Sequence, residues 1–146
     1  MAKRKPSHAD AHLVLELYDL RREPVMRESR RTIGAWLPRS FEDVRAIAEL
    51  GQPSNAAWRQ VGSYFEMAFG FARHGIVPGD FLAEFTGEGL FLFAKVEPYL
   101  ERFRVELAPT AFTNAELIAQ KSPFARERMQ LMRKRVASLL AARPRA

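Results

Sequence analysis

The sequence predicts an all-α fold, a single-domain bundle of about six helices around a buried central helix near residues 55–75. Apolar residues recur at every third or fourth position along most of the chain, and no segment shows the alternation that is typical of a half-buried strand. Serine, proline and glycine stand where such helices would begin and end. The 146 residues, of which 47% are hydrophobic, are enough to bury one core. We therefore expect residues 1–146 to form one domain, with disordered basic ends at residues 1–7 and 143–146.

The first helix is predicted from an apolar stripe in the segment AHLVLELYDL. Its members fall at helical spacing: Leu13, Val14, Leu17, Tyr18 and Leu20. Pro24 lacks a backbone donor and disfavours a helical conformation in the residue before it. A second helix, or the second half of one bent helix, therefore follows Pro24 and carries Met26, Ile33 and Leu37.

A third helix is predicted from Ser40 and Asp43, which are spaced as in a capping box. Gly51 and Pro53 mark its end. Its buried face is expected to comprise Phe41, Val44, Ile47 and Leu50.

The central helix is predicted to run from an N-cap at Asn55 to a left-handed glycine at Gly75. Apolar residues cover most of its circumference, and a narrow stripe is polar or small: Arg59, Gly62, Glu66, Gly70 and Arg73. A glycine within a helix costs about 1 kcal/mol relative to alanine. We therefore expect another part of the chain to approach closely beside Gly62 and Gly70.

Proline, glycine and capping signals divide the rest of the chain. Asp80 is expected to cap a short helix, Gly87 and Gly89 to mark a bend, and Pro98 to kink or interrupt the next helix. Two further start signals are a capping-box spacing from Thr113 to Glu116 and a serine cap before a first-turn proline at Ser122-Pro123.

Glu66 is an unexpected charge in an apolar stretch, because it lies among three phenylalanines, a tyrosine and a methionine. A buried carboxylate needs a partner, and Arg59 and Arg73 are two turns away on the same helix. We therefore expect a donor from another element, with candidates Arg102, Arg104, Tyr99 or an arginine of the second helix. Glu66, Arg59, Arg73 and Tyr99 form the predicted set, as a structural ion and polar network or, alternatively, as ligand contacts beside a small-molecule pocket.

Motifs that carry catalytic chemistry are not found in the sequence. The chain has no cysteine, no G-x-S-x-G turn, no glycine-rich phosphate loop and no H-E-x-x-H pair. His8, His12 and Glu16 share a helix face near a terminus, which is a weak basis for a metal site. Glu66, Glu84 and Glu88 lack the Glu-x-x-His spacing of carboxylate-bridged diiron bundles. We predict no catalytic residue, metal or cofactor, and we expect a protein that is not an enzyme.

The net charge of +6 is concentrated at the two ends of the chain. Residues 1–31 contain eight Lys/Arg and five Asp/Glu, residues 121–146 contain eight and one, and the segment between contains seven and eleven. If the fold brings the ends together, these side chains are candidate phosphate contacts: Arg27, Arg30, Arg31, Arg133, Lys134 and Arg135. The alternative is a solvated, arginine-rich outer face.

The start of the chain favours a cytoplasmic location. It turns polar directly after its basic residues, whereas an export signal continues into an uninterrupted apolar stretch. The apolar runs are broken within about eight residues, well short of the roughly 20 needed for a membrane span.

One stretch, residues 64–104, resembles a bacterial family of small helical proteins, a domain of unknown function. The positions that carry the resemblance are Tyr64, Phe65, Glu66, Gly75, Ile76, Asp80, Phe81, Gly87, Pro98, Tyr99 and Leu100. The resemblance implies an all-α fold and no particular activity. The chain is rich in aromatic residues and methionine, which, taken with the missing catalytic motifs, favours protein–protein interaction, including self-association into a homo-oligomer. The alternative is nucleic-acid binding through the basic N- and C-terminal segments.

Overall fold

The computed structural model describes residues 3–143, which form nine α-helices and one turn of 3₁₀ helix and contain no strand. The α-helices are α1 His8–Leu20, α2 Pro24–Ala35, α3 Phe41–Ala48, α4 Asn55–Arg73, α5 Gly79–Phe85, α6 Gly87–Val96, α7 Leu100–Glu106, α8 Thr113–Lys121 and α9 Pro123–Ala142. The all-α prediction is confirmed. The number of about six helices was too low, because the segment 79–106 forms three short helices separated by Thr86 and by the 3₁₀ turn Glu97–Tyr99.

The centre of the molecule is α4, which packs against α2, α3, α5, α6 and α8. Its residues Phe65, Ala68, Phe69 and Ala72 are all buried. The opposite side of α4 is partly exposed and carries Arg59, Ser63 and Glu66. A buried central helix is therefore present, with one polar stripe that reaches the surface.

Several predicted helix starts are confirmed by their hydrogen bonds. Ser40 accepts from the backbone N–H of Asp43 at the start of α3, and Ser122 accepts from that of Ala125 at the start of α9. Pro24 is the first residue of a separate helix, whose N-cap is Glu23. These caps need only residues within one turn, which is why local spacing predicts them.

Three local predictions were wrong. The third helix ends at Ala48, so Leu50 lies outside it and is 80% exposed. Asn55 is the first residue of α4 rather than its cap, and its buried Nδ2 donates to Ile47 O at 3.0 Å. Asp80 does not cap α5: its Oδ1 accepts from Ser122 Oγ and from the N–H of Phe124 at the start of α9. In the last two cases the side chain bonds another helix instead of capping its own.

The close approach predicted beside two glycines of the central helix is present at only one of them. No atom outside the local helix lies within 4 Å of a Cβ built on Gly62, so the close approach predicted there is wrong. The approach is present at Gly70, where Asn114 Nδ2 would be 3.1 Å away. It is closest at Gly89, which is not at a bend but inside α6 against the rings of Phe65 and Phe69.

Helix α1 lies against the body through Val14 and Leu17, while Tyr18 and Leu20 of the predicted stripe are exposed. Tyr64 Oη donates to Leu17 O at 2.5 Å, and burial raises the pKa of Tyr64 to about 12. The helix is thus held by a narrower apolar edge than its sequence suggests.

The prediction of disordered ends concerns residues 1–7 and 143–146. Residues 1, 2 and 144–146 lie outside the described part of the chain. Within it, Arg4 donates to the carboxylate of Asp10 and to Ile76 O at 2.9 Å. The disorder of the ends therefore stays a prediction.

Candidate functional site

Glu66 provides the N-terminal cap of a helix distant in sequence. Its Oε2 accepts from the backbone N–H of Asn114 at 3.0 Å, and its Oε1 accepts from that of Ala115 at 2.8 Å. The N-cap residue of α8 is Phe112, which adopts a left-handed conformation with φ of 56° and makes no side-chain cap. The capping box predicted from Thr113 to Glu116 does not form. The carboxylate from α4 takes its place.

The two amides explain why a charge is tolerated beside an aromatic core. The first N–H groups of a helix have no partner within the helix and carry the positive end of its dipole. A carboxylate placed there makes charge-assisted hydrogen bonds. The predicted partner of Glu66 is therefore a pair of backbone N–H groups, and not a side chain of Arg102, Arg104 or Tyr99.

The other predicted members of the Glu66 set are dispersed. Arg73 reaches the site indirectly, because it donates to Asn114 Oδ1 at 3.1 Å while Asn114 Nδ2 donates to Glu66 O at 3.0 Å. Arg59 borders the same small pocket as Glu66, but its Nε donates to Asn55 Oδ1 at 2.9 Å. Tyr99 packs at the edge of the hydrophobic core in the 3₁₀ turn.

A pocket of about 210 Å³ borders Glu66. Aromatic side chains from three elements line it, namely Trp58, Phe103 and Phe112. It is smaller than the roughly 300 Å³ at which ligand pockets usually begin. The geometry therefore favours a structural ion, and the interpretation of Glu66 as a ligand contact stays a hypothesis.

Removing the cap should destabilise the fold. We expect Glu66→Ala to lower the free energy of unfolding by about 2 kcal/mol, because two helix N–H groups lose a charged acceptor. Glu66→Gln should lose about half as much, because its amide offers one acceptor oxygen. Urea denaturation followed by circular dichroism measures both. Glu84→Ala, at an exposed acid of α5, is the matched control, and an equal loss there would contradict the capping role.

A second site brings together cations that are far apart in sequence. A groove of about 430 Å³ runs between α2 and α6, with α4 at its floor. We call it the basic groove, and its charged lining residues are Arg27, Arg30, Arg31, Glu88, Lys95 and Arg135. Its apolar lining residues are Ile33, Val61, Phe65, Phe91 and Leu92. Four arginines and a buried lysine thus share the groove with one carboxylate.

The single carboxylate of the basic groove is already paired. Glu88 Oε1 accepts from Arg21 Nη2 at 2.6 Å and also from Arg30, and Arg30 Nε donates to Oε2 at 2.9 Å. Burial raises the pKa of Glu88, but the hydrogen bonds from Arg30 and the charge of Arg21 outweigh burial and lower it. Glu88 therefore stays ionised and is paired with both Arg21 and Arg30.

Lys95 is a buried cation at the inner end of the groove, with only 2% of its surface exposed. Its Nζ donates to Ile33 O at 2.7 Å and to Trp36 O at 2.8 Å, which lie at the C-terminal end of α2. Burial, together with the charges of Arg135 and Arg143, lowers the pKa of Lys95 to about 7. Lys95 thus satisfies carbonyl groups that the helix end leaves unpaired.

The six predicted phosphate contacts do not act as one set. Arg27, Arg30, Arg31 and Arg135 line the basic groove, although Arg135 comes from the opposite end of the chain. Arg133 lies elsewhere and forms two hydrogen bonds with Glu97, at 2.7 and 2.8 Å. Lys134 is exposed on α9 and does not line the groove.

The comparison with protein families identifies the chain. A family model described as a domain of unknown function, DUF4760, matches residues 6–122. The chain belongs to the DUF4760 family. No curated protein and no solved structure matches it.

The DUF4760 match extends the resemblance seen in residues 64–104 to the whole of α1–α8. It ends at Ser122, the residue that caps α9. The arginines of α2, together with Glu88 and Lys95, therefore lie within the matched region. Arg135 comes from the helix that follows it.

The described residues do not form the metal site or the glutamate cluster that were considered from the sequence. Among residues 3–143, no group of three or more histidine, aspartate or glutamate side chains is placed to hold a metal ion. Glu66, Glu84 and Glu88 belong to three separate sites, since they border different cavities. In the same part of the chain, no helix is both long and apolar enough to cross a bilayer.

Lys95 is the site residue that the sequence analysis missed. Its signal is a single charge within the apolar run GLFLFAKV. A lysine at the end of such a run could equally extend to solvent along a helix surface. Only the position of the α2 carbonyl groups distinguishes the two cases.

Proposed function

We propose that this DUF4760 protein is a non-enzymatic binding domain whose basic groove takes an acidic segment of a partner protein. The observation that carries the proposal is the excess of cations in the groove, where the one carboxylate is already paired. A surface of one charge sign attracts partners of the opposite sign and accelerates their encounter.

Three arginines of the groove are accessible to a new carboxylate. Within residues 3–143, no acidic side chain pairs with Arg27 or Arg135. Arg31 pairs with Glu28 at 2.7 Å, but both side chains are largely exposed, at 70% and 65%. Such exposed pairs are weak and exchange easily. An acidic segment could therefore engage Arg27, Arg31 and Arg135 without breaking a buried ion pair.

The burial of the aromatic rings at the floor favours a protein partner over a nucleic acid. Single-strand binders stack bases on exposed aromatic faces. Here Phe65 is 3% exposed and stacks on Phe69, with ring centroids 6.2 Å apart. Phe91 is 7% exposed and has the Arg135 guanidinium 4.5 Å from its centroid. The groove therefore offers no exposed aromatic face for a base, and its accessible surface is formed by arginine side chains, which suit the carboxylates of an acidic segment.

Nucleic-acid binding is the second candidate. It is supported by the convergence of both basic segments on one groove, Arg27, Arg30 and Arg31 from one and Arg135 from the other. Binding of this kind would act through phosphates alone. Its affinity would then fall steeply with salt and depend little on base sequence.

Charge reversal in the groove tests the proposal. We expect a fluorescein-labelled Glu/Leu amphipathic peptide to bind the chain in an anisotropy titration at low salt. Arg27→Glu with Arg31→Glu should weaken that binding at least tenfold, because two attractions become repulsions. Arg126→Glu with Arg128→Glu changes the net charge equally outside the groove and should alter the affinity less than twofold.

The outcome of the same titration separates the alternatives. A labelled oligonucleotide that binds more tightly than the peptide, with a linear loss of log affinity against log salt, would favour the nucleic-acid function. No binding of the peptide at low salt, or an equal loss in both double variants, would refute the proposal. Light scattering of the chain alone reports whether it also associates with itself.

A further inference from the structure

A further cavity, of about 760 Å³, lies on another part of the molecule. The N-terminal segment, residues 3–6, forms one wall, and α5 with the junction between α8 and α9 forms the other. Its apolar lining residues are Pro6, Pro78, Phe81, Leu117 and Pro123. It shares no lining residue with the basic groove. Its volume is within the range of small-molecule sites, roughly 300–1,000 Å³.

The N-terminal wall is fixed in place by a polar anchor. Arg4 Nη2 donates to Asp10 Oδ1 at 2.9 Å and to Ile76 O at 2.9 Å. Asp10 is 3% exposed and also accepts from the N–H of Ser7 at 2.7 Å. The Arg4 guanidinium and the amide of Ser7 hold the pKa of Asp10 well below its usual range. The segment that closes the cavity is therefore tied to both α1 and the loop before α5.

The charges around this cavity are mostly positive. Lys3, Lys5 and Lys121 line it, and in the described chain none of them is paired with a carboxylate. Asp80 is already bonded to Ser122 and to the N–H of Phe124. Glu84 is then the one lining acid without such a bond. An apolar floor is thus bordered by three uncommitted ammonium groups.

From this arrangement we propose that the cavity binds a single-chain aliphatic carboxylate, with its chain on the apolar floor and its carboxylate among the three lysines. The apolar lining accounts for the chain, because each buried methylene contributes about 0.8 kcal/mol. The lysines account for the anionic head group. The wall formed by residues 3–6 makes the site concave, which suits one free molecule better than a flat bilayer surface.

Calorimetry with dodecanoate below its micellar concentration tests the proposal. We expect the full chain to bind dodecanoate at least tenfold more tightly than dodecanol, which has the same chain and no charge. Lys5→Glu with Lys121→Glu should weaken dodecanoate binding at least tenfold. Arg126→Glu with Arg128→Glu should leave it unchanged, and circular dichroism checks that every variant is folded.

Further variants and a vesicle control test whether dodecanoate binds in this cavity and whether a free molecule or a membrane is the ligand. Arg4→Met, which releases the N-terminal wall, should weaken dodecanoate binding severalfold at unchanged net helix content. Arg27→Glu with Arg31→Glu should not affect it, so failure here is distinguishable from failure of the basic groove. Equal affinity for dodecanol, no effect of the lysine variants, or binding only to anionic phosphatidylglycerol vesicles would overturn the proposal.

Discussion

Replacing Gly89 by alanine should lower the free energy of unfolding by about 3 kcal/mol, or the Tm by on the order of 10 °C. A Cβ atom at this position would stand 2.6 Å from Phe65 Cδ1 and 2.8 Å from Phe69 Cζ. Both rings belong to the buried core. Phe65 is 3% exposed and packs edge-on against Tyr64 with centroids 4.9 Å apart, and Phe69 is 1% exposed. The better helix propensity of alanine offsets only about 1 kcal/mol of the clash.

The matched control is Gly62→Ala in α4. Nothing outside the local helix lies within 4 Å of a Cβ built there, so only the propensity and chain-entropy terms act. We expect this variant to gain about 1 kcal/mol. Urea denaturation of both variants measures the contrast. If Gly89→Ala were as stable as Gly62→Ala, the close contact between α6 and α4 would not exist.

Lys95 should make the stability depend on pH above neutrality. Its pKa is about 7 in the folded chain against 10.5 for an ordinary lysine. Between these values the unfolded chain binds more protons than the folded one, so stability rises with pH and is lost as the pH falls from 10.5 toward 7. The neutral amine keeps two N–H donors, enough for the two close carbonyl groups of Ile33 and Trp36.

The measurement compares the chain with Lys95→Met. Between pH 7 and about pH 9.5, the original chain should gain about 3 kcal/mol of unfolding free energy relative to this variant. Lys134→Met makes the same substitution at an exposed position of α9 and should show no such difference. Parallel pH dependence in the original chain and in Lys95→Met would mean that Lys95 remains an ammonium ion throughout this range.

The helices could be predicted where their signals are local. The caps at Ser40 and Ser122 and the start of α2 at Pro24 depend on residues within one turn, and the structure contains them. The left-handed glycine that follows α4 is also present, at Gly75 with φ of 73°. Repeating apolar residues identified the buried face of α3 at Phe41, Val44 and Ile47, but the end of α3 was placed too late.

The candidate sites could be predicted only in part from local spacing. Arg27, Arg30, Arg31 and Arg135 could be named as cations, but their meeting in one groove requires α2 and α9 to lie on the same side of α6. Glu66 could be identified as needing a partner. That the partner is the start of α8, rather than an arginine, depends on the left-handed Phe112, which no spacing rule indicates.

The amino-acid sequence by itself determined that this chain is helical, where most helices begin, and that one long helix is central. Its hydrogen-bond donors and acceptors met their partners only in the tertiary structure. Glu66 caps a helix 48 residues away, Asp80 bonds Ser122 at a separation of 42, and Lys95 reaches a carbonyl group 62 residues before it. The physical reason is the sequence separation over which each interaction acts. Backbone propensity and capping act within a turn, whereas pairing between distant polar groups follows from how apolar faces pack, and many packings bury the same faces.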